Sequence, residues 1–600
     1  MKYLKLYSND ESYMADKSSL GDLDVWVAST QSENHVYYSS EIDNSLCFTA
    51  MENGASVQMG LIDMGASPNG LQAKSFSYKK NDDVELTPSV QMKLSNEGGT
   101  SAGWQAKKFY YKKNDDVKWT EWVFENNTSS EIPLNKGDKL YVMSDSYNSC
   151  GDGNKFYCFN INVGKISASG NIMSLLNFTP VLPNYAFFLL FMGCTSLVSA
   201  PELPATKLAV GCYRYMFVGC SSLVHAPELP ATKLANSCYY GMFSGCALVQ
   251  APELPATTLA DGCYEFMFRG CSSLTKAPAL PATTLANNCY ESMFYDCRSL
   301  TQAPALPATT LLDNCYYEMF YGCYSLTQAP ELPATTLADY CYKSMFHNCS
   351  SLTQAPALPA TTLANECYKF MFSNCSSLTK APALPATTLA EGCYYEMFSN
   401  CSSLTKAPAL PATKLVHICY SNMFKGCKSL VQAPDLPATT LADGCYSSMF
   451  LGCSSLTQAP ALPETKLASD CYAGMFYGCS SLTKAPALPA TTLAEGCYYG
   501  MFQGCTSLTQ APELPATTLV NSCYNYMFYS CTKLNYIKAM FTTTPNTTYT
   551  DNWVYDVASP NTPGTSGKSG TFVKSSAANW NLTEVRGSSG IPYGWEVTTV

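Results

Sequence analysis

Two cysteines recur at fixed spacing through the middle of the chain, and their thiols could in principle form disulfides, bind zinc or act as nucleophiles. The stretch CYEFMFRGCSSLTKAPALPATTLANN, Cys263 to Asn288, carries one pair, Cys263 and Cys271. Its first Cys returns every 26 residues at Cys289, Cys315, Cys341, Cys367, Cys393, Cys419, Cys445, Cys471, Cys497 and Cys523. Upstream, Cys212 and Cys238 continue the series with one 25-residue step, because Cys246-Ala247-Leu248 lacks a residue found in the other copies. Before them Ala186 stands where Cys is due and Cys194 is half a pair, so thirteen full units follow one degenerate opening unit. Repetition of this kind is the signature of a solenoid with an atypical end unit.

Each chemistry fails on spacing. Zinc favours pairs two to four residues apart, whereas seven residues separate these cysteines and the whole chain holds 4 His. If a short helix joins the two Cys of a unit, their Cα atoms lie about 10 Å apart, beyond the roughly 7 Å a disulfide spans. Bridges between neighbouring units, and the state of Cys47, Cys150, Cys158 and Cys194, stay open. The reading that fits is two small buried apolar side chains stacked into ladders. His35, His225, His347 and His417 share no register with Asp, Ser or Cys; His225 and His347 fall at solvent-facing positions and His417 in a turn. With no nucleophile beside a base, no paired acids and no phosphate loop, no enzyme, cofactor or metal site is expected.

The elements that hold these residues follow from the copies. After the first Cys come Tyr, two free positions, Met, Phe, one free position and then usually Gly or Asn. At about 100° per residue, Cys263, Tyr264, Met267 and Phe268 share one arc while Glu265, Phe266 and Arg269 share the other, which predicts a helix of about two turns. Gly270, Asp296, Asn348 and Asn374 suit the left-handed residue that closes it, and Ser530 fits least well. So short a helix must be held by its neighbours. Alternation over Ser273–Ala277 predicts a short parallel strand, stopped by Pro278 and Pro281, with Leu274, Leu280 and Leu285 facing inward.

The pattern MF-x-GCSSLT-x-AP-x-LPATTLA, over residues 180–536, resembles the BspA-type leucine-rich repeats of Bacteroidales surface proteins and their phages. The resemblance implies a curved solenoid used for attachment or recognition, without catalytic residues. The opening segment, MKYLKLYSNDESYMADKSSL to HVYYSS at residue 40, resembles the N-terminal stretch of structural proteins of Bacteroides phages, including the crAss-like group. That implies contact with other virion proteins through this segment. Residues 73–85 and 106–118 are near copies, and Trp119, Trp122 and the run Ile132–Tyr141 read as antiparallel β-structure. Tyr536 to Val600 loses the repeat and gains Gly, Ser, Thr and Trp. The expected fold is therefore an α/β solenoid, leucine-rich-repeat-like, with short parallel strands plus short helices. Its segments are an attachment-like stretch (1–45), a β-sandwich-like domain (46–170), the solenoid (180–536) and a β-rich C-terminal cap (537–600).

A net charge of -10 with 14% charged residues offers no basic stripe, so no nucleic-acid partner is expected. Lys2, Lys5, Asp10, Glu11, Asp16 and Lys17 interrupt the apolar run a signal peptide would need. The longest apolar stretch, Ala186 to Met192, is far shorter than the roughly 20 residues that span a bilayer and reads as core, so no membrane insertion is expected. Location on a virion or at the cell surface fits both. The positions free to vary supply the partner-binding candidates: Arg214, Tyr215, Tyr240, Phe266, Arg269, Tyr295, Tyr317, Tyr321, Lys343, His347, Lys369, Phe370, Tyr395, Lys425, Tyr477, Tyr499, Tyr526 and Tyr529. Tyr and Arg are common binding anchors, and Tyr also stacks on sugars. The strand side is monotonous, with Lys or Gln at the position of Lys276. Two function classes follow: a phage virion component, tail-fibre-like or receptor-binding, that contacts a host surface protein or glycan, and a bacterial BspA-like surface adhesin. A homo-oligomer is compatible with either.

Overall fold

Alternate backbone N–H groups of each unit point in different directions, and this decides its conformation. Those of Cys263, Glu265, Met267, Arg269 and Cys271 bond to the carbonyl three residues back at 3.0–3.3 Å. Those of Tyr264, Phe266, Phe268 and Gly270 bond instead to Cys289, Glu291, Met293 and Tyr295 of the next unit at 2.7–3.1 Å. Every fourth residue is left-handed: Gly262 (φ 58°), Phe266 (φ 56°) and Gly270 (φ 71°). The predicted helix is therefore absent. In its place is a chain of overlapping β-turns, half of whose donors need a neighbouring unit. The turns repeat every four residues, and over nine residues a period of 4 sorts side chains inward and outward as a period of 3.6 does. The sequence pattern fits both.

The strand expected at Ser273–Ala277 also shrinks, to one parallel bridge per unit at Lys276 with Gln250 and Gln302, continued at Gln328, Gln354 and Lys380. Prolines on one side and the turn after the second Cys on the other leave a single residue able to pair.

The structure is a computed structural model describing residues 45–63, 107–116, 118–179, 181–462, 466–557, 570–581, 583–584 and 589–600. The segment 1–44 and the first near copy, 73–85, lie outside them. The described chain forms two compact units, one running to Ala231 and including Ala235–Ala247, the other comprising Thr232–Leu234 and everything from Leu248.

In the second unit the inward residues stack like with like. Tyr264 to Tyr524 form one ladder, with ring centroids 5.6–6.0 Å apart and planes within 12° of parallel. Phe268 to Phe528 form another at 5.6–5.8 Å. Cys263, Met267 and Leu274 are fully buried and Leu280 and Leu285 nearly so, matching the expected inward set. All 30 cysteines are buried free thiols. The second Cys of a unit donates its Sγ–H to the Phe carbonyl of the preceding unit, as in Cys297 to Phe268 at 3.1 Å and Cys531 to Phe502 at 3.0 Å. Burial pushes the thiols of Cys289, Cys341 and Cys393 up to about 12, so they stay protonated near neutral pH.

The turns outlast the sequence motif. Tyr524, Tyr526 and Phe528 donate to the carbonyls of Tyr549, Asp551 and Trp553, and Asn552 (φ 49°) and Asp556 (φ 58°) repeat the left-handed positions. Trp553 sits where the next Met is due, its carbonyl accepting from the Phe528 N–H as that of Met293 accepts from Phe268, and it is fully buried. Beside it, Tyr536–Ala539, Thr571–Lys574 and Glu596–Thr599 form a three-stranded parallel sheet.

The first unit opens with eleven strands: β1 Leu46–Ala50, β2 Ala55–Asp63, β3 Phe109–Lys113, β4 Thr120–Glu121, β5 Phe124–Glu125, β6 Thr128–Ser129, β7 Ile132–Leu134, β8 Lys139–Ser144, β9 Lys155–Asn160, β10 Ile166–Ser169 and β11 Leu197–Ser199. One sheet has the order β11-β10-β1-β8-β3-β4; the other is β5-β6-β2-β7, with β9 also on β2. Aromatic rings join the sheets, Phe48 to Phe159 and Phe109 to Tyr157, both at 4.9 Å. At the end of β9 this domain imitates a repeat. The Phe159 carbonyl accepts from Cys194 Sγ at 3.1 Å, as the Phe191 carbonyl accepts from Cys220 at 3.0 Å, and the Phe159 ring stacks on Phe191 at 5.1 Å. The degenerate opening unit is thereby given the neighbour it requires.

Candidate binding surface

With the first Cys of a unit counted as one, the outward side chains are the third, fourth and seventh. From Arg269 to His347 the seventh position forms a stack. The Arg269 guanidinium lies 4.6 Å from the Tyr295 ring centre, Tyr295 and Tyr321 stack at 4.5 Å, and Tyr321 and His347 at 4.7 Å. Arg269 also covers Phe266 at 5.3 Å. Phe370 meets His347 edge-on at 6.0 Å, and Tyr395 meets Phe370 at 5.4 Å. Lys343 lies 5.6 Å from Tyr317 and Lys369 lies 4.9 Å from Tyr395, and Glu366 pairs with both lysines at 2.8 and 3.1 Å.

Burial and pairing set the charges here. Burial raises Glu291 to about 7 despite a 2.6 Å hydrogen bond from Asn288, and raises Glu318, which accepts from Ser292 at 3.4 Å. Burial lowers His347 to about 4, leaving it neutral near pH 7. Burial would raise Glu366 too, but hydrogen bonds from Lys343 and Lys369 outweigh it and hold the carboxyl below its usual range.

This packing engages most of the expected anchors with one another. Tyr295, Tyr321 and His347 give their ring faces to one another and are half-buried, as are Phe266, Tyr317, Phe370 and Tyr395. A ring stacked on both sides has only its edge left for a ligand. In the first unit Tyr215 is not outward at all: it is 7% exposed and packs with Phe156, Cys158, Phe188 and Leu189. Arg214 lies over Tyr240 at 4.3 Å. Lys425, Tyr526 and Tyr529 are half-buried. Among the candidates, Tyr477 and Tyr499 are the well-exposed rings, at 39% and 42%.

These two rings border a hollow of about 400 Å³ lined by Ser447, Ser448, Leu451, Ala473, Gly474, Tyr477, Tyr499, Gly500 and Gln503. Its origin is simple. The fourth position holds Phe370, Glu396 and Asn422 in preceding units, but Ser448, Gly474 and Gly500 in the next three, so the wall loses its side chains there. Beyond Tyr499 the aromatic surface continues through Tyr526 at 5.5 Å, Tyr529 at 5.9 Å and Tyr555 at 4.8 Å.

Sequence reasoning missed the hollow's small residues, and also Tyr324 and Tyr340, exposed at 40% and 36% and covered by Arg298 and Lys343. The signal was available: each is a large aromatic where the other copies carry smaller or polar residues. A second groove, about 330 Å³, lies along Lys276–Pro281 and Gln302–Pro307 and is made of residues shared by nearly every copy. Among the described residues no three His, Cys, Asp or Glu side chains gather to hold a metal ion, and no helix is long and apolar enough to cross a membrane.

The BspA type leucine rich repeat region, in six copies, matches residues 189–327, 264–405, 313–456, 365–500 and 446–561, together more than half of the chain. The chain belongs to the BspA-type leucine-rich repeat family. In the BspA-type unit from Cys263 to Asn288 all three leucines, Leu274, Leu280 and Leu285, are buried. Among solved structures, the crystal structure of a TLR13–ssRNA13 complex matches at 14% identity and a TM-score of 0.21, over 51% of this chain and 41% of that one, so the chain spans about two fifths of that protein's length. No curated protein matches the chain.

Proposed function

We propose that this BspA-type protein is a non-enzymatic recognition protein whose outward residues contact a cell-surface protein or glycan. One observation carries the reading: across thirteen copies the inward Tyr, Met and Phe do not change, while variation gathers at outward positions, including those that open the hollow. A surface that drifted without use would vary as freely but would not need exposed aromatic rings, which cost solubility. The test is adhesion of the labelled full chain to whole bacterial cells. Saturable binding, competed by unlabelled chain, is expected, and its absence across a broad strain panel contradicts the reading.

The finer assignment is a virion component, tail-fibre-like or receptor-binding, joined to other virion proteins through residues 1–45; the resemblance of the opening segment to phage structural proteins supports it. A bacterial surface adhesin is the alternative, supported by the repeats. Peptides of this chain in purified virions favour the first, and peptides in a washed outer-surface fraction of phage-free cells favour the second.

A further inference from the structure

We propose that the hollow between Tyr477 and Tyr499 binds a neutral saccharide. The proposal rests on the recognition reading and names the ligand class of one site on that surface. The hollow is lined without any Lys, Arg, His, Asp or Glu. The contrast with the region from Arg269 to Lys369, where cations cover rings and pair with carboxylates, is sharp. A charge-free lining gives no purchase to phosphate, sulfate or an acidic sugar, since nothing would offset the cost of dehydrating the anion.

What the lining does offer suits a pyranose. Tyr477 and Tyr499 are well exposed at the edge of the hollow, and an exposed aromatic ring offers apolar surface to the C–H groups of a sugar. Ser447 donates its hydroxyl to the Ala473 carbonyl at 3.3 Å, so its oxygen presents lone pairs to a sugar hydroxyl. The Gln503 amide supplies both a donor and an acceptor. A volume of about 400 Å³ is in the range of small-molecule sites. A protein partner would need large apolar or Arg anchors and a wider surface than this depression, whose lining includes Gly474 and Gly500.

The glycines supply the decisive variant. Asn422 occupies the register position of Gly500 with the same left-handed backbone (φ 56° in each), so Asn is tolerated there. A Cβ on Gly500 would meet nothing closer than Gln503 Oε1 at 3.4 Å. Gly500→Asn therefore fills the hollow while keeping the turn.

The full chain is applied to an array of neutral oligosaccharides alongside sialylated and sulfated ones, and any neutral ligand found is titrated against wild type, Gly500→Asn, Tyr499→Ala, Tyr499→Phe and, as a control outside the repeats, Lys136→Ala at an exposed position. The expected result is neutral binding, weakened about ten-fold or more by Gly500→Asn and Tyr499→Ala, with Tyr499→Phe close to wild type, Lys136→Ala unchanged and all melting temperatures alike. Binding of acidic saccharides alone, or full affinity in Gly500→Asn, overturns the proposal. Cell adhesion that survives Gly500→Asn and excess neutral saccharide leaves the recognition reading standing and removes this site. Binding to neither cells nor saccharides removes both.

Discussion

Buried polar atoms carry the most local tests. The hydroxyls of Tyr316, Tyr368, Tyr420 and Tyr472 are buried without a hydrogen-bond partner, while their rings stack in the Tyr ladder. Removing an unpartnered hydroxyl relieves a desolvation cost and leaves the stack intact. Tyr316→Phe is expected to leave stability unchanged or raise it by up to about 1 kcal/mol in urea unfolding; a loss of that size would show that the hydroxyl is satisfied in solution. Glu291 gives a pH test. Its folded value, about 7, stands above the ordinary 4.5, so the folded chain holds its proton more tightly than the unfolded chain. The resulting stabilisation is complete below about pH 4.5 and is lost as pH rises through 7. Glu291→Gln keeps a neutral side chain at every pH. Relative to wild type, this variant should gain stability between pH 4.5 and pH 8, and parallel unfolding curves at the two values would refute the assignment.

At the scale of the element, the turn run shows what the sequence can and cannot disclose. The inward set, Cys263, Tyr264, Met267 and Phe268, was legible because thirteen copies mark it, and Gly270 was legible as left-handed because its position accepts Gly, Asn, Asp or Ser. The other left-handed positions were not, since Phe266, Tyr526 and Ile418 occupy them against their own preference. Only the bonds to the next unit impose that backbone, and those bonds are invisible in a single copy. A β-branched side chain at φ 46° is strained by roughly 1–2 kcal/mol. Asn occupies the same register position at Asn288 and Asn314. Ile418→Asn should therefore stabilise the protein by about 1 kcal/mol, seen as a higher melting temperature; a lower one would mean that the Ile packing outweighs the strain.

On the scale of the whole molecule, each compact unit provides for the end of its own ladder. Phe159 of β9 stands in for a Phe of the repeat, and Trp553 takes the next Met position where the sequence motif has already stopped. Neither stand-in carries the motif, so sequence comparison of copies could not place them. The hollow was hidden for a similar reason: it is made by missing side chains at Ser448, Gly474 and Gly500, which form a cavity only when three units lie side by side. Tyr477 and Tyr499 were named correctly as outward residues, while Tyr215 was not, because the β-domain that buries it is remote in sequence.

The central claim is that inward ladders make the fold and outward residues make the contacts, so the two should separate in one measurement. The full chain carrying Tyr477→Ser, Tyr499→Ser and Gly500→Asn together is compared with wild type for adhesion to a bacterial strain that wild type binds, with circular dichroism and melting recorded on the same samples. The account predicts an unchanged spectrum and melting temperature with adhesion reduced at least about ten-fold. Undiminished adhesion by the folded triple variant would contradict it.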